Sequence, residues 1–196
     1  MSRTVIALAL AALGSSALLA ADPQFTDRGE LIRPPDYREW VFLASGLGMT
    51  YGPNRPQAGQ PAPFNNVFVN PEAYRAFIKT GRWPDGTVFM LEIRSAEENV
   101  SISSGGKTQG ALRAIEASVK DTKRYPEGGW AYFSFDGPQG LRESAAPFPR
   151  TAGCYSCHSK HGAVEWTFTQ FYPSAFEVAQ HLGTVRPDYD PARKAE

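Results

Sequence analysis

The run Cys154-Tyr155-Ser156-Cys157-His158 constrains this chain more than any other part of its sequence, and it holds the only two cysteines in 196 residues. The pattern C-x-x-C-H is typical of sites at which a c-type haem is attached. Two thiols at this spacing can reach the two vinyl groups on one edge of a porphyrin. The histidine that follows can then bind the iron from below as the proximal ligand. The pattern therefore predicts one covalent haem c, held by Cys154 and Cys157, with His158 as the iron ligand.

Other uses of two cysteines at this spacing are a structural zinc site, a redox dithiol and a disulfide. A structural zinc ion usually takes four protein ligands, and the remaining His161 and His181 do not form a matching second pair. A thioredoxin-like dithiol would lie near the start of a βαβ unit, and no such pattern precedes the motif. The sequence thus favours haem, and these alternatives stay open at this point.

The N-terminus has the features of a secretory signal peptide. Arg3 precedes an apolar run over 5–13, and small residues continue to Ala21. The apolar run is too short to cross a membrane, although a retained anchor is the alternative. We expect a signal peptide over 1–21, a single domain over 22–196 and a periplasmic location, which agrees with haem attachment outside the cytoplasm.

Charge and composition limit the possible partners. The 20 basic and 20 acidic residues balance, and no basic stripe suggests a nucleic-acid partner. Aromatic residues make up 12% of the chain, which suits either an apolar haem pocket or the core of a sheet. A mature chain of about 175 residues is long enough for one domain with a sizeable core.

Proline and glycine signals predict helices on both sides of the central strands. Pro34-Pro35-Asp36 predicts a helix over 37–44, and Pro71-Glu72 predicts a second over 71–79 that ends at Gly81. The haem motif is expected in a short C-terminal helix, and a last helix is expected over 173–182.

Alternating or β-branched runs separated by turn residues predict the strands. Short connections make antiparallel neighbours the simplest topology. The chain is therefore predicted to be α+β, with a dominant antiparallel sheet of four or five strands, N-terminal helices and a C-terminal helical haem-attachment segment. The predicted strands are 64–70, 87–95, 111–119 and 130–135.

Further motifs lie in one order along most of the chain. They are YREWV at 37–41, VFVNPEAY at 67–74, KTG at 79–81, PDGT at 84–87, EASVKD at 116–121, GWA at 129–131 and FYP at 171–173. Together with CYSCH they resemble the cytochrome P-460 / cytochrome c′-β family. The resemblance implies a β-sheet haem c protein, usually a homodimer, with a five-coordinate iron.

The resemblance implies two possible functions. One branch of the family oxidises hydroxylamine and has a sheet lysine cross-linked to the porphyrin, whereas the other binds NO and CO beneath an apolar distal face. The position that matches the cross-linking lysine is Leu91 in this chain. Leu91 and Phe89, on the same strand face by alternation, are therefore expected to form an apolar distal cap.

Glu116 matches an acidic position that assists proton transfer in the enzymatic branch. A carboxylate beside an apolar pocket has its charged form disfavoured, so it could transfer protons or hydrogen-bond to a bound ligand. Glu116 could equally be a surface residue, since periodicity alone does not say which strand face meets the haem.

No strong sixth iron ligand emerges from the sequence. Met49 lies in a loop from which it could reach the iron, although a gap-filling role is the plainer interpretation. Met90 lies on the strand face opposite Leu91. The other candidates, which are poorly placed, are His161, His181, Lys79 and Lys107.

The leading hypothesis is a periplasmic haem c protein with an open iron site that binds NO or CO. The second is a hydroxylamine-oxidising enzyme with Glu116 as proton acceptor. The third is an electron carrier with Met49 as the sixth ligand and a redox partner that the sequence does not identify.

Overall fold

The structure is a computed structural model that describes residues 22–49 and 62–192. The expected signal peptide and most of the predicted loop over 49–63 lie outside the described residues. The described part contains a five-stranded antiparallel sheet, two small two-stranded sheets and three α-helices. The prediction of an α+β fold dominated by a sheet is therefore confirmed.

The elements follow one another with short connections through most of the described chain. The strands are β1 (Leu31–Ile32), β2 (Val41–Leu47), β3 (Phe64–Val69), β4 (Val88–Glu97), β5 (Thr108–Lys120), β6 (Trp130–Ser134), β7 (Asp136–Gly137), β8 (Gly140–Leu141) and β9 (Ser144–Ala145). The α-helices are α1 (Pro71–Thr80), α2 (Gly153–His161) and α3 (Pro173–His181). Short 3₁₀ helices span Tyr37–Glu39 and Thr169–Phe171.

The large sheet has the strand order β2-β3-β4-β5-β6, so that every strand pairs with its neighbour along the chain. All of these pairs are antiparallel. The register places Val67 of β3 opposite Leu91 of β4, and Leu91 opposite Glu116 of β5. These three residues therefore form one row across the centre of the sheet.

Successive side chains of a strand point to opposite faces, and the large sheet has a separate hydrophobic cluster on each face. Phe89 packs on the face that also carries α1 and α3, in a cluster with Phe77 and Ala175. Met90 packs on the other face, in a cluster with Ile115. The alternation predicted for β4 is therefore present in the structure.

Helix α1 confirms the prediction for 71–79. Pro71 occupies the start of the helix, where its missing N–H is not needed. Gly81 ends it with a left-handed φ of 67°, and its N–H donates to the carbonyl of Phe77 at 2.7 Å. A residue with a side chain is disfavoured in that conformation, so glycine sets the end of α1.

The predicted helix over 37–44 is wrong. The helical part is a single 3₁₀ turn over Tyr37–Glu39, and Val41–Leu47 forms the edge strand β2. Val41 and Leu43 pack against the cluster around Phe89 while the backbone pairs with β3. Sheet pairing and burial of these side chains therefore outweigh the proline signal. Of the two α-helices predicted before the central strands, only α1 is present, and it lies between β3 and β4.

Candidate functional site

One large cavity lies on the sheet face that carries Phe89. Its volume is about 1260 Å³, above the roughly 300–1,000 Å³ that is usual for small-molecule sites. All five strands of the large sheet contribute to its wall, together with α2 and the segment that follows α2. The cavity is therefore large enough for a group of haem size.

The structure brings the sequence-predicted site residues to this one cavity. They come from two sources, the helix α2 and the two central strands β4 and β5. The residues that line the cavity include Cys154, Cys157, His158, Phe89, Leu91 and Glu116. Their roles stay predictions, because the shared cavity shows proximity and not chemistry.

Helix α2 carries the C-x-x-C-H motif on a single short stretch of backbone. Cys154 and Cys157 are one turn apart, which directs both side chains to the same side of the helix. Both thiols are free and half-buried, so the disulfide alternative is absent from this structure. Burial raises the pKa of each thiol. The two thiols thus line the cavity and are not bonded to each other.

His158 has the hydrogen bond expected of a metal-binding imidazole. Its Nδ1 lies 2.9 Å from the carbonyl oxygen of Trp166. A carbonyl can only accept, so Nδ1 carries the proton and Nε2 is left free to bind a metal. Burial lowers the pKa of His158 to about 4, which keeps the ring neutral. The protonation state and tautomer both suit an iron ligand.

Aromatic rings surround His158. The centroid of its ring lies 4.3 Å from that of Tyr132 and 4.2 Å from that of Phe168. Both aromatic residues also line the cavity. They restrict rotation of the imidazole and keep its surroundings apolar.

The sheet wall of the cavity is largely apolar around Leu91. Its cross-strand neighbour on β3 is Val67, and both side chains line the cavity. Phe89 extends this wall and has ring centroids of Trp130 and Tyr172 at 5.8 and 5.9 Å. This is the surface that the sequence predicted as a distal cap.

Glu116 interrupts the apolar wall, because it lies directly opposite Leu91 on β5. Burial raises the pKa of Glu116, and the nearby Asp136 raises it further. Periodicity left its strand face open, and the structure directs it to the cavity. The distal wall therefore combines apolar side chains with one carboxyl group that is easier to protonate than an ordinary glutamate.

Some buried polar atoms have no hydrogen-bond partner among the described residues. Three of them belong to cavity-lining side chains: Asn65 Oδ1, Trp130 Nε1 and the Tyr132 hydroxyl. Buried polar groups in native proteins are normally hydrogen-bonded. All three atoms are covered by protein, so a group in the cavity does not reach them, and the fit of haem rests on the two thiols, His158 and the size of the cavity. Sequence reasoning gave these residues no role in the site, because Asn65 and Tyr132 were visible only as strand residues and Trp130 only as part of the motif at 129–131.

The candidate sixth ligands are widely separated. Met49 lines the cavity, and its side chain packs against Gly46 so closely that a Cβ at Gly46 would collide with its sulfur. Met90 is fully buried in the cluster on the opposite face. Of the others, His161 lines the cavity from α2, Lys79 and His181 are exposed, and Lys107 pairs with Glu98 at 2.6 Å.

The arrangement in α2 and the cavity defines the class of protein. Two free thiols, a neutral histidine with an available Nε2 and a large aromatic cavity fit covalent haem. Within residues 22–49 and 62–192, no group of three or more His, Cys, Asp or Glu side chains could hold a metal ion by itself. The site therefore has the groups that a c-type haem protein requires.

A comparison with known families shows to which family of haem proteins the chain belongs. The family model described as Cytochrome P460 matches residues 34–169. The chain belongs to the cytochrome P460 family, which implies a haem c cofactor and is generally periplasmic. A search of curated proteins finds no significant match. The helices in the described residues lack the length and apolar character needed to cross a membrane.

Proposed function

We propose that this chain is a periplasmic haem c protein that binds small diatomic gases, NO and CO, at an open iron site. The observation that carries the proposal is the position of Leu91 at the centre of the cavity's sheet wall, beside Val67 and near Phe89. Bound haem supplies an iron whose sixth position can take a diatomic ligand.

The residues of the chain divide into two groups by task. Cys154 and Cys157 hold the cofactor covalently, and His158 provides Nε2 to the iron. Leu91 and Phe89 offer no hydrogen-bond donors, so these two side chains neither stabilise a strongly polarised ligand nor attract anions. Neutral diatomic molecules are therefore favoured over charged ones.

The lysines near the site support the gas-binding branch. Lys120 is committed elsewhere, because its ammonium donates to the Trp83 carbonyl at 2.6 Å and to Glu165 at 3.0 Å. Among the described residues that line the cavity, the one lysine is Lys160, which is exposed on α2. A cross-link from the sheet position of Leu91 has no amine to form it.

The proposal is tested by visible absorption spectra of the ferrous protein with and without CO. We expect a high-spin, five-coordinate spectrum that changes fully on addition of CO. In Met49→Ala the spectrum before CO should match the wild type, because Met49 is not a ligand. A six-coordinate, low-spin spectrum that CO does not change would contradict the proposal, and its loss in Met49→Ala would favour the electron carrier.

A second candidate function is oxidation of hydroxylamine, and the placement of Glu116 favours it. A buried carboxyl group with a raised pKa beside the ligand site could accept the protons that oxidation releases. Turnover of hydroxylamine with an artificial electron acceptor, lost in Glu116→Gln, would support this function. A mass that shows haem joined only through two thioethers would exclude a lysine cross-link. The homodimer and the redox partner stay predictions.

A further inference from the structure

The turn Val164–Thr167 supplies the carbonyl that accepts the proton of His158. The N–H of Thr167 donates to the carbonyl of Val164 at 2.8 Å, which closes the turn. Glu165 and Trp166 occupy its two central positions with left-handed φ angles of 47° and 63°. Such angles are uncommon outside glycine, and two in succession are unfavourable. The turn therefore persists only because surrounding contacts hold it.

An anchor on the Glu165 side chain holds the first half of the turn. Glu165 Oε2 accepts from the backbone N–H of Trp83 at 3.1 Å and from the ammonium of Lys120 at 3.0 Å. Lys120 also donates to the carbonyl of Trp83 at 2.6 Å. The side chains of Lys120 and Glu165 are only 12% and 24% exposed, so solvent screens this pair weakly. The anchor thus joins the turn to the end of β5 and to the segment between α1 and β4.

Packing holds the second half. A Cβ at Gly128 would collide with the indole of Trp166, which shows how closely the ring lies on that backbone. A Cβ at Gly162 would lie 2.7 Å from the carbonyl carbon of Trp166 and 2.8 Å from the carbonyl oxygen of His158. The turn is therefore pressed against the end of α2, and its carbonyl has little room to move.

We propose that Glu165 is a positioning residue for the proximal histidine, because its contacts with Lys120 and Trp83 hold the Trp166 carbonyl against His158 Nδ1. The inference rests on His158 being the axial iron ligand, as in the proposed function. A well-placed acceptor gives the imidazole more anionic character. A more anionic imidazole binds iron more strongly and favours the ferric state. Glu165 thereby affects the iron indirectly, through the hydrogen bond between the Trp166 carbonyl and His158, although Glu165 is not a partner in that bond.

Two variants of the haem-loaded protein test the anchor. Glu165→Gln keeps the shape of the side chain and removes its charge, and Lys120→Met removes the cation that pairs with it. Both should shift the iron–histidine stretch of the ferrous protein to lower frequency in resonance Raman spectra. Both should also shift the reduction potential upward, because the hydrogen bond that favours ferric iron is weakened.

Arg82→Gln is the matched control. Arg82 lies 3.7 Å from the other oxygen of the same Glu165 carboxylate, and its side chain is 62% exposed. We expect this variant to keep the wild-type frequency and potential. A shift as large as that of Glu165→Gln would overturn the proposal, because the effect would then follow net charge and not the held turn.

Glu165→Gly separates the anchor from backbone strain, since glycine adopts the left-handed angle at little cost. The shifts should persist in this variant, because the anchor is gone. Wild-type frequency and potential in Glu165→Gln and Glu165→Gly, with only a lower melting temperature, would overturn the inference and leave a structural role. If Lys120→Met does not fold, the isosteric Glu165→Gln decides the test.

The failures of the two proposals are distinguishable. An absent iron–histidine stretch in the ferrous wild type would show that the five-coordinate site does not form, and the proposed function would fail along with this inference. A clear stretch in the wild type that none of the anchor variants shifts would overturn the inference alone.

Discussion

Glu92 and Glu116 lie on neighbouring strands of the large sheet, yet their side chains meet opposite conditions. Glu92 follows Leu91 on β4 and points away from the cavity, whereas Glu116 pairs with Leu91 across the strands and points into it. The same residue type therefore occurs on both faces of one sheet, at neighbouring register positions of β4 and β5. The difference shows which face is built for stability and which is built to receive a ligand.

On the face away from the cavity, the charge of Glu92 is fully compensated. Burial alone would raise its pKa, but hydrogen bonds from Arg94, Tyr37 and Arg38 lower the pKa below that of an ordinary glutamate. The side chain of Glu92 is only 4% exposed, and Arg38 reaches it at 2.6 Å. These contacts join the 3₁₀ helix at Tyr37–Glu39 to the centre of the sheet.

On the cavity face, the carboxyl group of Glu116 is left without such partners. In the part of the chain that the structure describes, no donor compensates the charge of Glu116, and burial raises its pKa. A carboxyl group that is buried without a compensating partner contributes little to stability, and its place in the cavity wall suits contact with a bound ligand. The contrast predicts that changes on the cavity face alter the haem, and changes on the other face alter stability.

The largest expected effect comes from replacing both cysteines. The double variant Cys154→Ser/Cys157→Ser should lose covalent haem completely, because no thiol remains to bond the vinyl groups. Haem staining after denaturing electrophoresis and the mass of the intact protein would measure the loss. Ser156→Ala is the control, since Ser156 lies between the cysteines on α2 and should keep the haem. Covalent haem in the double variant would contradict the assignment of the motif.

The second effect should be on stability alone. Glu92→Gln leaves three donors around a neutral amide, and breaking a buried ion pair in this way costs about 3 kcal/mol of unfolding free energy. Urea denaturation would measure the cost. The visible spectrum of the remaining folded protein should match the wild type, because Glu92 lies on the face away from the cavity.

Glu143→Gln is a matched control for this prediction. Glu143 also pairs with an arginine, Arg33, at 2.7 Å, but its side chain is 86% exposed. An exposed pair of this kind is worth at most about 1 kcal/mol. Equal losses in Glu92→Gln and Glu143→Gln would show that burial does not set the strength of the Glu92 contacts, and the comparison of the two faces would fail.

The sequence predicted those parts of the fold that depend on local signals. Pro71 and Gly81 set the limits of α1, and period-two alternation assigned Phe89 and Met90 to opposite faces. The edge strand β2 was missed because Val41 and Leu43 become strand residues only through pairing with β3, and no local signal encodes that partner. Long-range pairing decides between helix and strand at such positions.

The same limit applies to the site. The motif at 154–158 carries its chemistry in its own spacing, so its residues could be found from the sequence. Alternation relates residues within one strand, but it could not direct Glu116 to the cavity without the position of α2. The left-handed turn at Glu165 and Trp166 gave no signal, because contacts from Lys120 and Gly128, distant in sequence, hold it.

The smallest effect is a difference in pH dependence that separates the two glutamates most directly. The pKa of Glu116 is raised in the folded state, so its contribution to stability is present below the ordinary glutamate pKa and is lost as pH rises through the raised value. The pKa of Glu92 is lowered, so its contribution is present above the ordinary value and is lost as pH falls through the lowered one. A single group changes stability by at most about 1.4 kcal/mol per pH unit.

Urea denaturation over a pH series would therefore give opposite changes in the two variants. Glu116→Gln should remove a decline in stability on the side above the ordinary glutamate pKa, and Glu92→Gln should remove a decline on the acid side. The signs differ because one carboxyl group is buried without compensation while the other is surrounded by donors. Profiles that change on the same side in both variants would mean that a buried carboxyl group has the same effect on both faces, and the comparison of the two faces would fail.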